Sequence, residues 1–187
     1  MKITIGGNPG SGKTSLGKAL AKKFKLKFYS MGDLRGKLAL KHNLTIDQLN
    51  EIGKKEFWTD KYVDDFLKKL NKKDNFIVDG WLAFYFIKDS IKIFLKADSN
   101  KAAERIFRNQ RKDEEHKDTV KEIKAMIKKR IKETDARYKK YYNVNYQDEK
   151  NYDFILNTTN LTVEKSLKKI LEFLKRKNKK RKIKSIC

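Results

Sequence analysis

One cysteine, one proline and two histidines are all that this 187-residue chain carries of those three residue types. The cysteine, Cys187, is the last residue, so no internal disulfide is expected and cysteine ligation of a metal is excluded, which fits a reducing, cytoplasmic setting. His42 and His116 stand alone, with no Cys, His or carboxylate at ligand spacing, so no zinc site is expected. The lone Pro9 leaves no proline-rich linker to divide the chain, and its length suits about one domain. No apolar run approaches the ~20 residues that span a bilayer, and no apolar segment follows a basic start at the N-terminus. Neither a membrane span nor a signal peptide is expected. Acidic residues are scarce beside basic ones, 24 against 47, for a net charge of +23.

That charge has two readings. Clustered basic residues point to nucleic acid. Yet only eight of the 47 are Arg, and abundant Asn, Ile, Phe and Tyr give the profile of compositional drift, with lysines on solvated helix faces. Drift accounts for the body of the chain. The run from Lys175 to Lys184, basic at eight of its ten positions, is instead expected to be a disordered tail over 176–187 with weak RNA affinity.

What is present begins at Gly7-Asn8-Pro9-Gly10-Ser11-Gly12-Lys13-Thr14-Ser15, which fits the G-x-x-x-x-G-K-[ST] phosphate-binding loop. Its context agrees. Met1–Ile5 alternates as a strand, and Leu16, Ala19, Leu20 and Phe24 recur at helical spacing behind it. Glycines let successive backbone N–H groups turn toward phosphate oxygens, and the helix N-terminus adds a favourable dipole. Lys13 is expected to reach the β- and γ-phosphates of ATP, and Thr14 to hold Mg²⁺.

Strands are expected at Lys2–Gly6, Lys27–Tyr29, Phe76–Asp79, Ile91–Lys96 and Phe154–Asn157. Helices are expected over Lys13–Phe24, Asp33–His42, Thr45–Lys54, Thr59–Leu70, Asn100–Arg111, Thr119–Tyr142 and Thr162–Lys175. This alternation argues for a parallel α/β sheet with helices on both faces. Thr45, Thr59 and Thr162 read as N-caps, Thr119 with Glu122 as a capping box, and Asn143 as a left-handed helix end. One domain over 1–175 results, with a helical acceptor-binding insertion at 31–73 and a short lid at 109–118.

Asp79 ends a strand beside the loop, where a carboxylate can hold Mg²⁺ or its water. Arg105, Arg108 and Arg111 lead into the lid, so at least one is expected on phosphate. Asp60 and Asp64 share a helix face and meet either the acceptor or solvent. Arg130 and Arg137 lie two turns apart on the long helix. Trp58 and Trp81 read as packing anchors.

Gly7–Thr14, Ser30-Met31-Gly32-Asp33, Val78-Asp79-Gly80, Arg130 with Arg137-Tyr138, and Tyr152–Ile155 leading to Asn157-Thr158-Thr159 together resemble the cytidylate kinase family, in its short archaeal-type branch. The likeness runs over about residues 1–174. It implies a P-loop fold with strand order 2-3-1-4-5, ATP and Mg²⁺ as cofactors, and phosphoryl transfer to CMP or dCMP by a monomer. It further implies Lys13, Arg108, Arg111, Arg130 and Arg137 in catalysis, and Ser30, Gly32, Asp33, Arg35, Asp79, Gly80 and Asp135 toward the acceptor. Residues 157–160 are then the loop beside adenine.

Three positions depart from the family pattern. Gly36 stands where an Arg is usual, with Arg35 one residue early; Trp81 replaces an Arg; Thr134 replaces an acid, with Asp135 one step on. All three concern the acceptor, and two alternatives stay open. One is a P-loop kinase acting on an uncharged alcohol, with Asp33 or Asp79 as base. The other is an RNA-associated P-loop NTPase.

Overall fold

The computed structural model describes residues 1–111 and 114–184, with side chains through Asn178. Residues 112 and 113 of the expected lid, and 185–187 of the expected tail, lie outside the described residues.

The five strands β1 (Lys2–Gly7), β2 (Lys27–Ser30), β3 (Phe76–Asp79), β4 (Ile91–Lys96) and β5 (Phe154–Asn157) fall where strand patterning put them. They form one parallel sheet in the order β2-β3-β1-β4-β5. A parallel strand covered on both faces needs apolar residues at nearly every position. Accordingly every residue of β3 is buried. On one side, Ile3, Ile5, Ile93 and Leu95 pack with Leu16 and Leu20 of α1 (Lys13–Phe24). Helix α8 (Val163–Lys184) closes that face through Ile170 and Leu174.

The insertion after β2 is three helices, α2 (Met31–Lys41), α3 (Ile46–Lys55) and α4 (Trp58–Asn71). Thr45 caps α3 as expected, in a box completed by Gln48. Thr59 does not cap α4. The helix begins one residue earlier, after Phe57, and Thr59 is buried against Gly53 of α3 with its carbonyl bonded to Arg35. A short helix, α5 (Ala83–Phe86), follows β3; its four residues are too few to show a periodicity.

After β4, helix α6 (Ser99–Arg108) is capped by Asp98, whose carboxylate accepts from the Asn100 and Lys101 amides. Helix α7 (Val120–Tyr142) starts at the Thr119–Glu122 capping box and ends in a left-handed Asn143. The expected tail needs correction. Helix α8 continues past Lys175 to Lys184, so residues 176–184 are helical. Lys and Arg are good helix formers, no Gly or Pro interrupts them, and Lys177 pairs with Asp153 while lying over the Phe173 ring.

Candidate active site

The loop after β1 folds for reasons visible at two glycines. Gly7 has φ 140°, and a Cβ there would stand 2.3 Å from the Leu95 carbonyl oxygen. At Gly10, φ is 73° and a Cβ would meet the Ala102 carbonyl oxygen at 2.5 Å. Close backbone approach and positive φ both demand glycine. The Lys13 ammonium donates to the Asn8 carbonyl at 2.8 Å, and burial pulls its pKa down to about 8 despite nearby Asp79, with Arg130 adding to the depression.

Thr14, opening α1, donates through Oγ1 to Asp79 Oδ2 at 2.6 Å. Burial pushes the Asp79 carboxyl above its ordinary range, against the opposing pull of Thr14, Lys13 and Ser30. A hydroxyl and a carboxylate beside a phosphate loop are hard oxygen donors that suit Mg²⁺, which keeps several waters and takes few protein ligands. Among the described residues no group of three or more His, Cys, Asp or Glu could hold a metal alone, so phosphate oxygens and water complete any such site.

On the far side of the loop the sheet's carboxyl ends and the insertion enclose a cavity of about 300 Å³. Ser30, Gly32, Arg35, Asp79 and Gly80 line it, with Lys13, Arg111, Arg130 and Arg137. Arg35 enters although it lies one position early. Its Nε donates to Asn50 Oδ1 at 2.9 Å, and Nη1 donates to the Thr59 carbonyl at 3.1 Å and to Asp60 at 3.3 Å. Arg137 Nε approaches the other Asp60 oxygen at 2.9 Å without hydrogen-bond alignment. Burial and the neighbouring Arg137 both disfavour the charged form of Arg35. Arg35 Nη2, Arg137 Nε and Arg130 Nε are buried without a hydrogen-bond partner among the described residues. Two guanidinium groups thus share one carboxylate, an arrangement that favours a further anion.

The lid residues reach the same space. Arg111 pairs with Asp33 at 2.8 Å, and Arg130 pairs with Glu114 at 2.7 Å and with Asp47 at 3.0 Å. Asp33 stays outside the cavity lining, held by Arg111 from the lid. Trp81 lines the cavity, donates its indole N–H to the Gly7 carbonyl at 2.8 Å and stacks on Tyr146, so the residue standing where the family has Arg braces the loop.

Besides Asp33, two expected residues fall elsewhere. Asp135 lies outside the cavity lining and accepts from Gln147 at 2.8 Å. It is two residues from Arg137, about 200° around the helix, and so faces away. Arg108 is exposed and lines neither cavity, because the last turn of α6 puts Arg105 inward instead. Arg105, not Arg108, is the arginine of α6 that reaches the loop. Its guanidinium donates to the Gly10 carbonyl and to the carbonyls of Thr158 and Thr159, tying the phosphate loop to the turn after β5. Arg105 also borders a second cavity with Ser11, Gly12, Ser15, Thr158 and Leu161. The signal for Asp60 and Asp64 was a pair of acids four apart on a helix face shared with Leu67, which is apolar.

The family model for the cytidylate kinase-like family matches residues 2–160. The chain belongs to that family. It is similar to the cytidylate kinase of Sulfolobus acidocaldarius, at 34% identity over 95% of this chain and 96% of that one. The cytidylate kinase of Archaeoglobus fulgidus is 30% identical over 92% and 93%. A further relative, an S-adenosylmethionine-dependent nucleotide dehydratase of Lacinutrix mariniflava, is 32% identical over 99% of this chain, which spans 38% of its length. Shikimate kinases from Acinetobacter baumannii and Aquifex aeolicus share the fold, with TM-scores of 0.64 and 0.57, at 17% and 22% identity. The first covers 94% of this chain and 93% of its own, the second 94% and 96%. Family and fold are those of a phosphotransferase. No helix among the described residues is long and apolar enough to cross a membrane.

Proposed function

We propose that this chain is a nucleoside monophosphate kinase that transfers the γ-phosphoryl group of ATP, with Mg²⁺, to CMP or dCMP. The observation that carries the reading is the pair Arg35 and Arg137 on Asp60 in a cavity next to Lys13. A phosphate acceptor needs charge-assisted donors where an alcohol acceptor does not. Arg35 restores the guanidinium that Gly36 lacks. The alcohol alternative also wants a free base, whereas Asp33 is paired with Arg111 and Asp79 accepts from Thr14.

In this reading the second cavity, along Arg105, Thr158 and Leu161, takes the donor nucleoside. Thr14 and Asp79 would hold Mg²⁺, which would supply charge neutralisation at the phosphates. Lys13 holds the donor phosphates, Arg35 and Arg137 hold the acceptor phosphate, and Arg111 and Arg130 bring the lid's charge to the transferring group. No base is required because the acceptor oxygen is already anionic, so catalysis is positioning plus electrostatics. The test is a mass-spectrometric screen of purified protein with Mg²⁺-ATP across CMP, dCMP, UMP, AMP and cytidine. CDP or dCDP as product supports the reading; phosphorylation of cytidine alone, or of nothing, rejects it.

A further inference from the structure

The chain turns out of the sheet at the end of β3, one ladder position too soon for its neighbour. In the parallel pairing Ile5 lies opposite Asp79, and the Ile5 carbonyl accepts from the Gly80 amide at 3.1 Å. Carbonyls alternate sides along a strand, so the Gly7 carbonyl points toward the same neighbour two residues on. A longer β3 would supply a backbone amide there. Instead β3 stops at Asp79, and the Trp81 indole donates to the Gly7 carbonyl at 2.8 Å. Gly7 is buried, and a buried carbonyl needs a partner.

The indole is itself held. It stacks on the fully buried Tyr146, with ring centroids 5.2 Å apart and planes 17° from parallel. The Tyr152 hydroxyl donates to the Tyr146 carbonyl at 2.6 Å. The same hydroxyl packs so closely on Gly6 that a Cβ there would stand 2.8 Å from it. Three aromatic side chains thus grip the last two residues of β1, where the phosphate loop begins. An indole has one donor, its Nε1–H, and here it is spent on Gly7. None is left for an acceptor phosphate, although Trp81 lines the acceptor cavity.

Resting on the kinase reading above, we propose that Trp81 is a positioning residue for the donor, fixing the phosphate loop through Gly7 and making no bond to the acceptor. The loop meets phosphate with backbone amides, and each amide's direction is tied to the carbonyl in its own peptide plane. Side chains hold three of the loop's carbonyls: Trp81 holds Gly7, Arg105 holds Gly10, and the Thr158 hydroxyl holds Ser11. Donors fixed before the ligand arrives need no reorganisation when it binds. Freeing Gly7 leaves the two anchors in the middle of the loop but releases the end that leaves the sheet. Affinity for donor phosphate then falls, while acceptor binding at Arg35 and Arg137 holds.

The experiment measures calorimetric binding of Mg²⁺-pyrophosphate and Mg²⁺-ATP, and KM for ATP and for CMP, in three proteins. These are the wild type, Trp81→Phe, and a protein with 3-benzothienylalanine in place of Trp81, which keeps the bicyclic ring and loses only the N–H. Both replacements are expected to weaken pyrophosphate and ATP by about tenfold and to raise KM for ATP, with KM for CMP within about twofold. Unchanged pyrophosphate and ATP affinity in the folded replacements overturns the proposal. So does a KM for CMP that rises while ATP binding holds, or a lowered melting temperature with both KM values moving together, the mark of a packing role alone. If Trp81→Phe does not fold, the benzothienyl protein decides. A wild type that phosphorylates no nucleotide rejects the kinase reading instead, and the calorimetric comparison alone then decides on Trp81.

Discussion

Arg35 and Arg137 converge on a single carboxylate, Asp60, at 3.3 Å and 2.9 Å, from helices far apart in sequence. Arg137 and Asp60 are buried, at 4% and 6% exposure, and Arg35 is largely covered, at 13%. Two cations on one anion leave a net positive charge at the cavity wall. The fold maintains this charge by hydrogen-bonding Arg35 to Asn50 and to the Thr59 carbonyl, while Arg137 lies over the Tyr138 ring.

Removing the carboxylate from that group should be expensive. Asp60→Asn leaves two buried guanidinium groups without a counter-charge, a loss of about 3–5 kcal/mol of stability. Urea unfolding of the variant should show it, and added phosphate should restore part of the loss by binding the folded state. Unfolding at the wild-type midpoint would remove Asp60 from the electrostatic account.

Lys13 gives a pH dependence of known sign. Its pKa is lowered to about 8, so the charged form that binds phosphate is lost as pH rises through about 8. The kcat/KM for ATP should fall across that range, with kcat flatter because bound phosphate favours the ammonium. Lys13→Met should lower kcat/KM by at least about 10²-fold and abolish the alkaline fall. An alkaline limb that survives in Lys13→Met belongs to another group.

Much of this arrangement was legible in the chain. The phosphate loop, the five strands and the Thr119–Glu122 box are local patterns in which each residue's chemistry demands its place. Less legible was what depends on the rotation of one element against another. Arg35 was one position from the family's Arg, about 100° around a helix, yet its long side chain reaches the cavity. Asp135 carried the right charge on the wrong face of α7. Arg105 and Arg108 looked alike in sequence, and only the packing of α6 against the loop separates them. Helix α8 outran its apolar periodicity because helix propensity continues through the lysines and arginines beyond Leu174.

The basic end of α8 tests whether its charge matters to catalysis. Leu174 is the last core residue among those whose side chains are described, and Lys177–Asp153 is a partly exposed pair worth no more than about 1 kcal/mol. Deleting residues 176–187 should leave turnover within about twofold and lower the melting temperature by only a few degrees. It should remove binding to mixed RNA that weakens with salt at about −0.7 per contact. Loss of phosphoryl transfer on deletion would show that this end serves the active site.

The most direct test of the account is the formation of CDP from CMP and Mg²⁺-ATP, followed by steady-state kinetics in the wild type and in Arg35→Met. The account predicts CDP as the product, and an Arg35→Met enzyme whose KM for CMP rises by about tenfold or more while its KM for ATP stays put. No CDP from the wild type, or an Arg35→Met enzyme with an unchanged KM for CMP, would contradict it.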